Sequence, residues 1–283
     1  MRTMQEFLLW RNCTNKCDFC WQHKLQDPET YLNKSEMLES IDETISRLDE
    51  IDIGDDVLLV GGEILASYHS LVDDKLHELF DKCVKLIKKD SIRYLYINTN
   101  LIYENRKNLI YLLESMKGLE SRLKFTTSFD LYGRFNEKGK KLFLDNLAFI
   151  RDNFPEVNIV VNSIITKQLI ESDFNFNEFQ EEFKIRYINF IPYIPVEDDR
   201  CMDVDFMDIV KVLAENERRN RGAISFYIND FDMNQNKKLY EFRKSSGYVE
   251  CTSKYSECGH NENFKKVLDN KECFICKLKN VFG

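Results

Sequence analysis

The chain has 283 residues, of which 43% are hydrophobic and 13% aromatic, so it can bury a core and is not a disordered polypeptide. Its 48 acidic and 40 basic residues give a net charge of −8, which argues against nucleic acid as a partner because a polyanion is bound by clustered Lys and Arg. The sequence has no apolar run approaching the ~18–20 residues of a membrane span, and its first residues lack the apolar segment of a secretion signal, so we expect a cytoplasmic protein without a membrane partner.

Strand-like and helix-like segments alternate along the chain. Short apolar runs predict strands, and apolar residues at helical spacing predict the helices between them. The predicted strands cover residues 7–10, 57–60, 92–98, 123–130, 157–165 and 185–191. The predicted helices cover residues 35–51, 71–87, 105–116, 137–153, 171–182 and 206–217, with Ser35 as the N-cap of the first.

These six strand–helix units predict a parallel sheet covered by helices. A complete barrel of this kind needs eight units. The expected fold class is therefore α/β, a partial (β/α)6 TIM-like barrel over residues 1–200. The pattern loosens after Pro195, and residues 201–283 predict a small C-terminal extension that contains four clustered cysteines.

Three cysteines follow the first predicted strand with the spacing Cys-x3-Cys-x2-Cys: Cys13, Cys17 and Cys20. In a reducing compartment such a group is more typical of a metal site than of disulfides. Three thiolates are one fewer than the four of a structural zinc site or an ordinary iron–sulfur cluster. The loop therefore predicts a cluster with one iron open to an outside ligand. A zinc site completed by a distant residue, with His23 nearby, is the alternative.

This loop, with Phe19 before the third cysteine and Trp21 after it, resembles the signature of the radical S-adenosylmethionine superfamily. The resemblance implies that Cys13, Cys17 and Cys20 hold a [4Fe–4S] cluster whose fourth iron binds S-adenosylmethionine. It also implies a reaction in which an electron from the cluster cleaves this cofactor to methionine and a 5′-deoxyadenosyl radical. A flavodoxin or ferredoxin is the expected reductant.

A Gly-Gly-Glu segment, Gly61-Gly62-Glu63, follows the second predicted strand. In the family that the cysteine loop resembles, a motif of this kind contacts the methionine amino group, which assigns the three residues to cofactor binding. Glycine permits close approach of the backbone to a ligand, and a carboxylate accepts a hydrogen bond from an ammonium group. Ile64 stands where the family often has proline.

Other polar residues occupy predicted strand ends, where α/β folds bind ligands. By the same resemblance we assign them as further cofactor contacts, with turn formation, surface ion pairs or satisfied core amides as the structural alternatives. They are Asn98, Ser128, Asp130, Arg134 and Asn162. We predict no catalytic side chain beyond the cofactor assembly, because radical chemistry is performed by the cofactor.

A second cysteine group, with His260 close by, consists of Cys251, Cys258, Cys273 and Cys276. Four thiols in pairs resemble a structural zinc site, and an auxiliary iron–sulfur cluster is the alternative. The C-terminal residues Asp230, Asp232 and Arg243 are expected to close the mouth of the partial barrel and contact substrate, because water must be kept away from a radical.

The substrate expected from chain size and overall resemblance is a small molecule. Within the superfamily, the chain is expected to resemble queuine lyase, a salvage lyase that releases the 7-deazapurine precursor from queuine. One alternative is a peptide-modifying radical enzyme with an auxiliary cluster at the C-terminal cysteines. A zinc-binding module without catalysis is the other.

Overall fold

The computed structural model describes residues 3–17, 20 and 31–192. Strands and helices alternate in this part of the chain. The strands are β1 (Met4–Leu8), β2 (Asp55–Val60), β3 (Ile92–Asn98), β4 (Leu123–Ser128), β5 (Asn158–Ile165) and β6 (Tyr187–Pro192). The helices are α1 (Lys34–Arg47), α2 (Ser70–Lys88), α3 (Lys107–Ser115), α4 (Glu137–Asn153), α5 (Lys167–Ile170) and α6 (Phe176–Glu182), and a 3₁₀ turn (Glu120–Arg122) precedes β4.

The strands form one sheet in the order β1-β2-β3-β4-β5-β6, which is also their order in the sequence. The pairs from β1 to β5 are parallel. Within the described ranges the sheet is open, with β1 and β6 as its outer strands. The predicted α/β class and partial, unclosed barrel are confirmed. None of the helices in these ranges combines the length and the apolar character needed to cross a membrane.

Residue contacts group the chain into two compact units. Of the described residues, the first unit contains those up to 162 together with 175–186, and it holds β1 to β4, α1 to α4 and α6. The second contains 163–174 and 187–192, and its helix α5 is capped by Thr166, whose hydroxyl accepts a hydrogen bond from Leu169 N. The predicted boundary near residue 200 lies outside the described residues and stays a prediction.

The two faces of the sheet differ in burial. Side chains on one face are buried, and α2 packs against β3 there. Examples from this face are Leu95, Ile97, Phe125, Ile159 and Val161. The alternate residues of β3, β4 and β5 are only partly buried, and most of them are polar. They are Tyr94, Tyr96, Asn98, Lys124, Thr126, Ser128, Asn158, Val160 and Asn162.

Two local predictions were wrong. The first strand is Met4–Leu8 and not residues 7–10, because the strand is mostly exposed, with Phe7 buried, and the buried Leu9 and Trp10 follow it. The N-cap of α1 is Asn33 and not Ser35. Asn33 Oδ1 accepts hydrogen bonds from Ser35 N and Glu36 N, and Asn33 N donates in turn to Glu36 Oε2, which is a complete capping box.

Candidate cluster-binding site

The cysteine loop follows β1 directly. Leu9 and Trp10 are buried and anchor the chain where the loop begins. Cys17 is buried, whereas Cys13 and Cys20 are half-buried. Burial, together with the nearby charges of Glu63, Cys17 and Cys20, raises the pKa of Cys13 to about 12. The three thiols therefore lie within electrostatic reach of one another. Phe19, Trp21 and His23 fall outside the described residues.

Nitrogen donors surround the sulfur atoms of two of these cysteines. Asn15 Nδ2 lies 3.2 Å from Cys17 Sγ, and Arg134 Nη1 lies 3.4 Å from the same atom. Cys13 Sγ lies 3.4 Å from Asn100 Nδ2 and 3.5 Å from the backbone nitrogen of Asn15. Hydrogen bonds of this kind favour the thiolate, which is the form that binds iron or zinc.

These donors help to decide which kind of metal group the three cysteines fit. In residues 3–17, 20 and 31–192, no set of three or more His, Cys, Asp and Glu side chains is arranged to hold a single metal ion. A single zinc ion needs every sulfur about 2.3 Å from one point. A [4Fe–4S] cluster instead takes each thiolate on a different iron, so its cysteines stand farther apart. Cys13 and Cys17 have N–H donors directed at their sulfurs, and such donors stabilise metal-bound thiolates, so the residues present fit an iron–sulfur cluster.

The Gly-Gly-Glu loop packs directly against the start of the cysteine loop. Gly62 N donates to Trp10 O at 2.9 Å, and Glu63 N donates to Asn12 O at 2.9 Å. A Cβ atom on Gly61 would lie 2.6 Å from Trp10 O, and one on Gly62 would lie 2.2 Å from Asn12 O. Both positions therefore require glycine, because a side chain would collide with the backbone that leads to the cysteines.

Glu63 is fully buried, and its carboxylate accepts hydrogen bonds from two loops. Leu65 N donates to Oε1, Asn100 N donates to Oε2, and the Thr99 hydroxyl lies 2.9 and 3.0 Å from the two oxygens. Burial raises the pKa of Glu63 to about 7, against the opposing effect of these donors. The carboxylate thus joins the loop after β2 to the loop after β3. The predicted contact of Gly61, Gly62 and Glu63 with methionine stays a prediction.

Asp130 and Arg134 form a buried ion pair in the loop after β4. Arg134 Nε donates to Asp130 Oδ2 at 2.5 Å, and the Asp130 side chain is 1% exposed. Burial acts to lower the pKa of Arg134, but the charges of Asp130 and Cys17 raise it above its ordinary value. The structure therefore places Asp130 and Arg134 beside the cysteine loop, and their contact with the cofactor stays a prediction.

The predicted residues Asn98, Ser128 and Asn162 share the partly buried face of the sheet. Ser128 and Asn162 are direct partners in the β4–β5 register, and Asn98 pairs with Thr126 in the β3–β4 register. All three lie at or near the carboxyl ends of their strands. They therefore come together at the edge that carries the cysteine loop, and their contact with a cofactor stays a prediction.

Sequence reasoning missed several residues that organise this site. The Tyr68 hydroxyl donates to Asn12 O at 2.8 Å and lies 3.1 Å from Glu63 O. Asn15 also has a contact with Cys17 that no motif indicated. The predicted residues farther along the chain lie outside the described residues and stay predictions. They are Asp230, Asp232, Arg243, Cys251, Cys258, Cys273 and Cys276.

Comparisons with known proteins identify the fold but not the family. No protein-family model matches the sequence, and no curated protein matches it. Solved structures match at low sequence identity. Histidine-tagged anSMEcpe with bound AdoMet has a TM-score of 0.52 and 15% identity, over 75% of this chain and 56% of that one. Native anSMEcpe with bound AdoMet and the Cp18Cys peptide has a TM-score of 0.52 and 15% identity, over 75% of this chain and 58% of that one.

A further match is Streptococcus suis SuiB bound to the precursor peptide SuiA. Its TM-score is 0.51 with 18% identity, over 83% of this chain and 46% of that one. The chain thus spans about half the length of the solved proteins it matches. The open parallel α/β fold is shared with these proteins, two of whose structures hold AdoMet.

Proposed function

We propose that this chain is a radical S-adenosylmethionine enzyme in which Cys13, Cys17 and Cys20 hold a [4Fe–4S] cluster. One observation carries the proposal: the Cys-x3-Cys-x2-Cys loop after β1 is joined by backbone hydrogen bonds to the Gly-Gly-Glu loop after β2, in an open parallel α/β sheet. The shared fold with AdoMet-bound anSMEcpe supports it. When bound, the cluster supplies the electron that cleaves S-adenosylmethionine to methionine and a 5′-deoxyadenosyl radical.

The chain's own residues bind and shape this assembly. The three cysteines would provide the thiolates that hold the cluster. We assign the backbone of Gly61 and Gly62, which lies beside the cysteine loop at the end of β2, to the methionine end of the cofactor. Glu63, held by hydrogen bonds from both neighbouring loops, fixes the backbone around it. Asn98, Ser128 and Asn162 present polar groups on the same sheet edge to the rest of the cofactor.

For the substrate, we infer a peptide. The fold is shared with anSMEcpe bound to the Cp18Cys peptide and with SuiB bound to the precursor peptide SuiA, which supports the peptide-modifying alternative. None of these structures supports queuine as the substrate. A peptide also suits a sheet that is open in the described part of the chain, because an extended segment needs a wide entrance. A small nucleobase remains the competing substrate class in the test below.

The first experiment tests the cluster. The full chain is purified and reconstituted without oxygen in three forms. They are the wild type, a triple variant that combines Cys13→Ala, Cys17→Ala and Cys20→Ala, and a Cys83→Ala control. Cys83 is buried in α2 and serves as a matched cysteine away from the loop. We expect the triple variant to lose about four irons per chain relative to wild type, as expected for one [4Fe–4S] cluster. The control keeps its iron.

Two further readings of the same samples complete this experiment. With dithionite, flavodoxin or ferredoxin as reductant, the wild type should form 5′-deoxyadenosine from S-adenosylmethionine, and the triple variant should not. Metal that remains in the triple variant is assigned to the C-terminal cysteines. Iron there would indicate an auxiliary cluster, and zinc would indicate a structural site. A wild type that binds no iron, or that binds it without cleaving S-adenosylmethionine, overturns the proposed function.

The second experiment tests the substrate class. The reconstituted wild type is incubated with S-adenosylmethionine, reductant and either a library of synthetic peptides or queuine and related nucleobases. We expect peptides alone to increase 5′-deoxyadenosine formation above the level without substrate, with a matching mass change in the peptide. Stimulation by queuine, with release of the deazapurine base, would instead support the lyase and overturn the peptide assignment.

A further inference from the structure

Three side chains from separate parts of the fold direct N–H groups at the sulfur atoms of Cys13 and Cys17. Asn15 belongs to the cysteine loop, Asn100 follows β3, and Arg134 follows β4. The predicted contact of Arg134 with the cofactor does not explain this arrangement, because Arg134 Nη1 and both amide groups are directed at the cysteine sulfurs. The Gly-Gly-Glu interactions do not require it either.

Each donor is held by a second interaction, so its direction is fixed. Asn100 Oδ1 accepts a hydrogen bond from Ile102 N at 2.7 Å, and Asn100 N donates to Glu63. Asn15 Nδ2 also donates to Arg134 O at 3.1 Å. These contacts orient both amide groups before any cluster binds.

The guanidinium of Arg134 is held in the same way. It reaches Cys17 Sγ with Nη1 while its Nε is bound to Asp130. The Asp130 side chain is 1% exposed and the Arg134 side chain is 14% exposed, so water screens their charges weakly. Asp130 is therefore a positioning residue for a positive group that lies against a cysteine sulfur.

Hydrogen bonds and positive charge at cysteine sulfur have a known effect on iron–sulfur clusters. An added electron increases the negative charge on the cluster and its thiolates, and N–H donors at sulfur stabilise that charge. Donors therefore raise the reduction potential, and their removal lowers it. The redox step is simple: one electron passes from a one-electron reductant to the cluster, and no bond to the protein forms or breaks.

From these contacts, and on the basis of the function proposed above, we propose that Arg134, Asn15 and Asn100 set the reduction potential of the cluster bound by Cys13, Cys17 and Cys20. Arg134 contributes the charge, and the two amides contribute hydrogen bonds. The three residues make the cluster easier to reduce than a cluster on the same loop without them.

The test is a redox titration of the reconstituted full chain, followed by electron paramagnetic resonance, without S-adenosylmethionine. The variants are Arg134→Gln, Arg134→Lys and Asn15→Leu, and Arg122→Gln is the matched control. Arg122 is also a partly buried arginine with several hydrogen bonds, but its guanidinium contacts Ile87 O, Ile92 O and Asp90. It has no contact with the cysteines in the described part of the chain.

We expect Arg134→Gln to lower the midpoint enough to change the ratio of reduced to oxidised cluster tenfold at a fixed potential, which is about 59 mV for one electron. Arg134→Lys should recover part of the shift because it keeps the charge, and Asn15→Leu should give a smaller shift in the same direction. Arg122→Gln should leave the midpoint unchanged.

The outcomes separate this inference from the proposed function. A wild type without a cluster refutes the proposed function itself. A normal iron content with an unchanged midpoint in both Arg134→Gln and Asn15→Leu overturns the inference and leaves the function standing. If Arg134→Gln binds no iron, the midpoint of Asn15→Leu is used in its place to test the inference. Loss of iron from both variants, with Arg122→Gln fully loaded, assigns these residues a structural role and also overturns the inference.

Discussion

The backbone amide of Asn100 donates a hydrogen bond to Glu63 Oε2 at 2.5 Å, while its side-chain amide lies 3.4 Å from Cys13 Sγ. Asn100 thus connects a buried carboxylate to a cysteine of the candidate site. Any change in Glu63 is expected to reach the cysteine loop through this residue.

Replacing Glu63 with Gln should change how stability depends on pH. Burial raises the pKa of Glu63 to about 7 from an ordinary value of 4.5, so the folded chain holds this proton more tightly than the unfolded chain. The free energy of unfolding should therefore fall as pH rises from about 4.5 to about 7, by about 3 kcal/mol from this group. The Glu63→Gln variant should lack this part of the slope.

Urea unfolding of the wild type and the Glu63→Gln variant between about pH 5 and pH 8 measures the two slopes. Other titrating groups contribute equally to both proteins, so only the difference between the slopes is interpreted. Equal slopes would show that Glu63 does not change its protonation in this range.

Replacing Gly62 with Ala should disturb the joined loops. The new methyl group would lie 2.2 Å from Asn12 O and 2.5 Å from Arg11 O, and backbone atoms cannot rotate away as a side chain can. We expect a loss of stability of about 1–3 kcal/mol and a reduced iron content after reconstitution. Unfolding midpoints and iron analysis measure the two effects.

The control for this change is Gly139→Ala in α4. There the methyl group would lie 3.3 Å from Asn136 Oδ1, a side-chain atom, and the helix gains from alanine. This variant should stay within about 1 kcal/mol of wild type. An equal effect of both substitutions would contradict the proposed reason for glycine at position 62.

Replacing Asn146 with Ala should loosen the loop after β3. Asn146 is fully buried in α4, and its amide donates to Leu101 O and Tyr103 O at 2.9 and 3.0 Å while its oxygen accepts from Arg106. The variant leaves these buried groups unpaired, so we expect a loss of about 2–3 kcal/mol.

Asn153→Ala, at the end of the same helix, is the control for this loss. Asn153 is exposed and donates only within its helix, to Phe149 O, among the described contacts. Its substitution should change stability by less than about 0.5 kcal/mol. Chemical denaturation of both variants gives the comparison, and similar losses would refute a clamping role for Asn146.

Replacing Phe129 with Ala should destabilise the end of β4. Phe129 is buried and packs against Phe179 of α6, with ring centroids 4.5 Å apart, and against Phe143 of α4 at 5.4 Å. We expect a loss of about 3–5 kcal/mol from the removed contacts and the cavity. Since Asp130 follows directly, the variant should also bind less iron.

The half-buried Phe149 provides the comparison for this aromatic cluster. Its ring contacts Arg106 and Phe154 at the surface of α4. Phe149→Ala should cost about 1–2 kcal/mol and leave iron content unchanged. A larger loss in Phe149→Ala than in Phe129→Ala would contradict the buried packing described here.

Most strands and helices were predictable because their signals are local. The strand over residues 92–98 and the helix over 137–153 have the predicted bounds, since apolar runs and helical spacing are read within a few residues. The region 171–182 was only partly predicted: α6 begins at Phe176, after the cap residue Asn175. The N-cap of α1 was predicted at the wrong residue, because Asn33, Ser35 and Glu36 together allow more than one cap position.

The site was predictable only in outline. The spacing of Cys13, Cys17 and Cys20 and the Gly-Gly-Glu segment are visible in the sequence, and the structure joins them. The contacts of Arg134 with Cys17 and of Asn100 with Cys13 cross 117 and 87 residues. Such contacts depend on how strands are placed in the sheet, and a single sequence has no local signal for them.

The hydrogen bonds from Gly62 to Trp10 and from Glu63 to Asn12 join the segment directly after β2 to the segment directly after β1. The cysteine loop therefore inherits its position from strand register. A slip of one residue between β1 and β2 would bring a residue other than glycine under either the Trp10 or the Asn12 carbonyl. If the loop holds the proposed cluster, iron uptake should require correct pairing of these two strands, and it would then serve to follow the folding of the sheet.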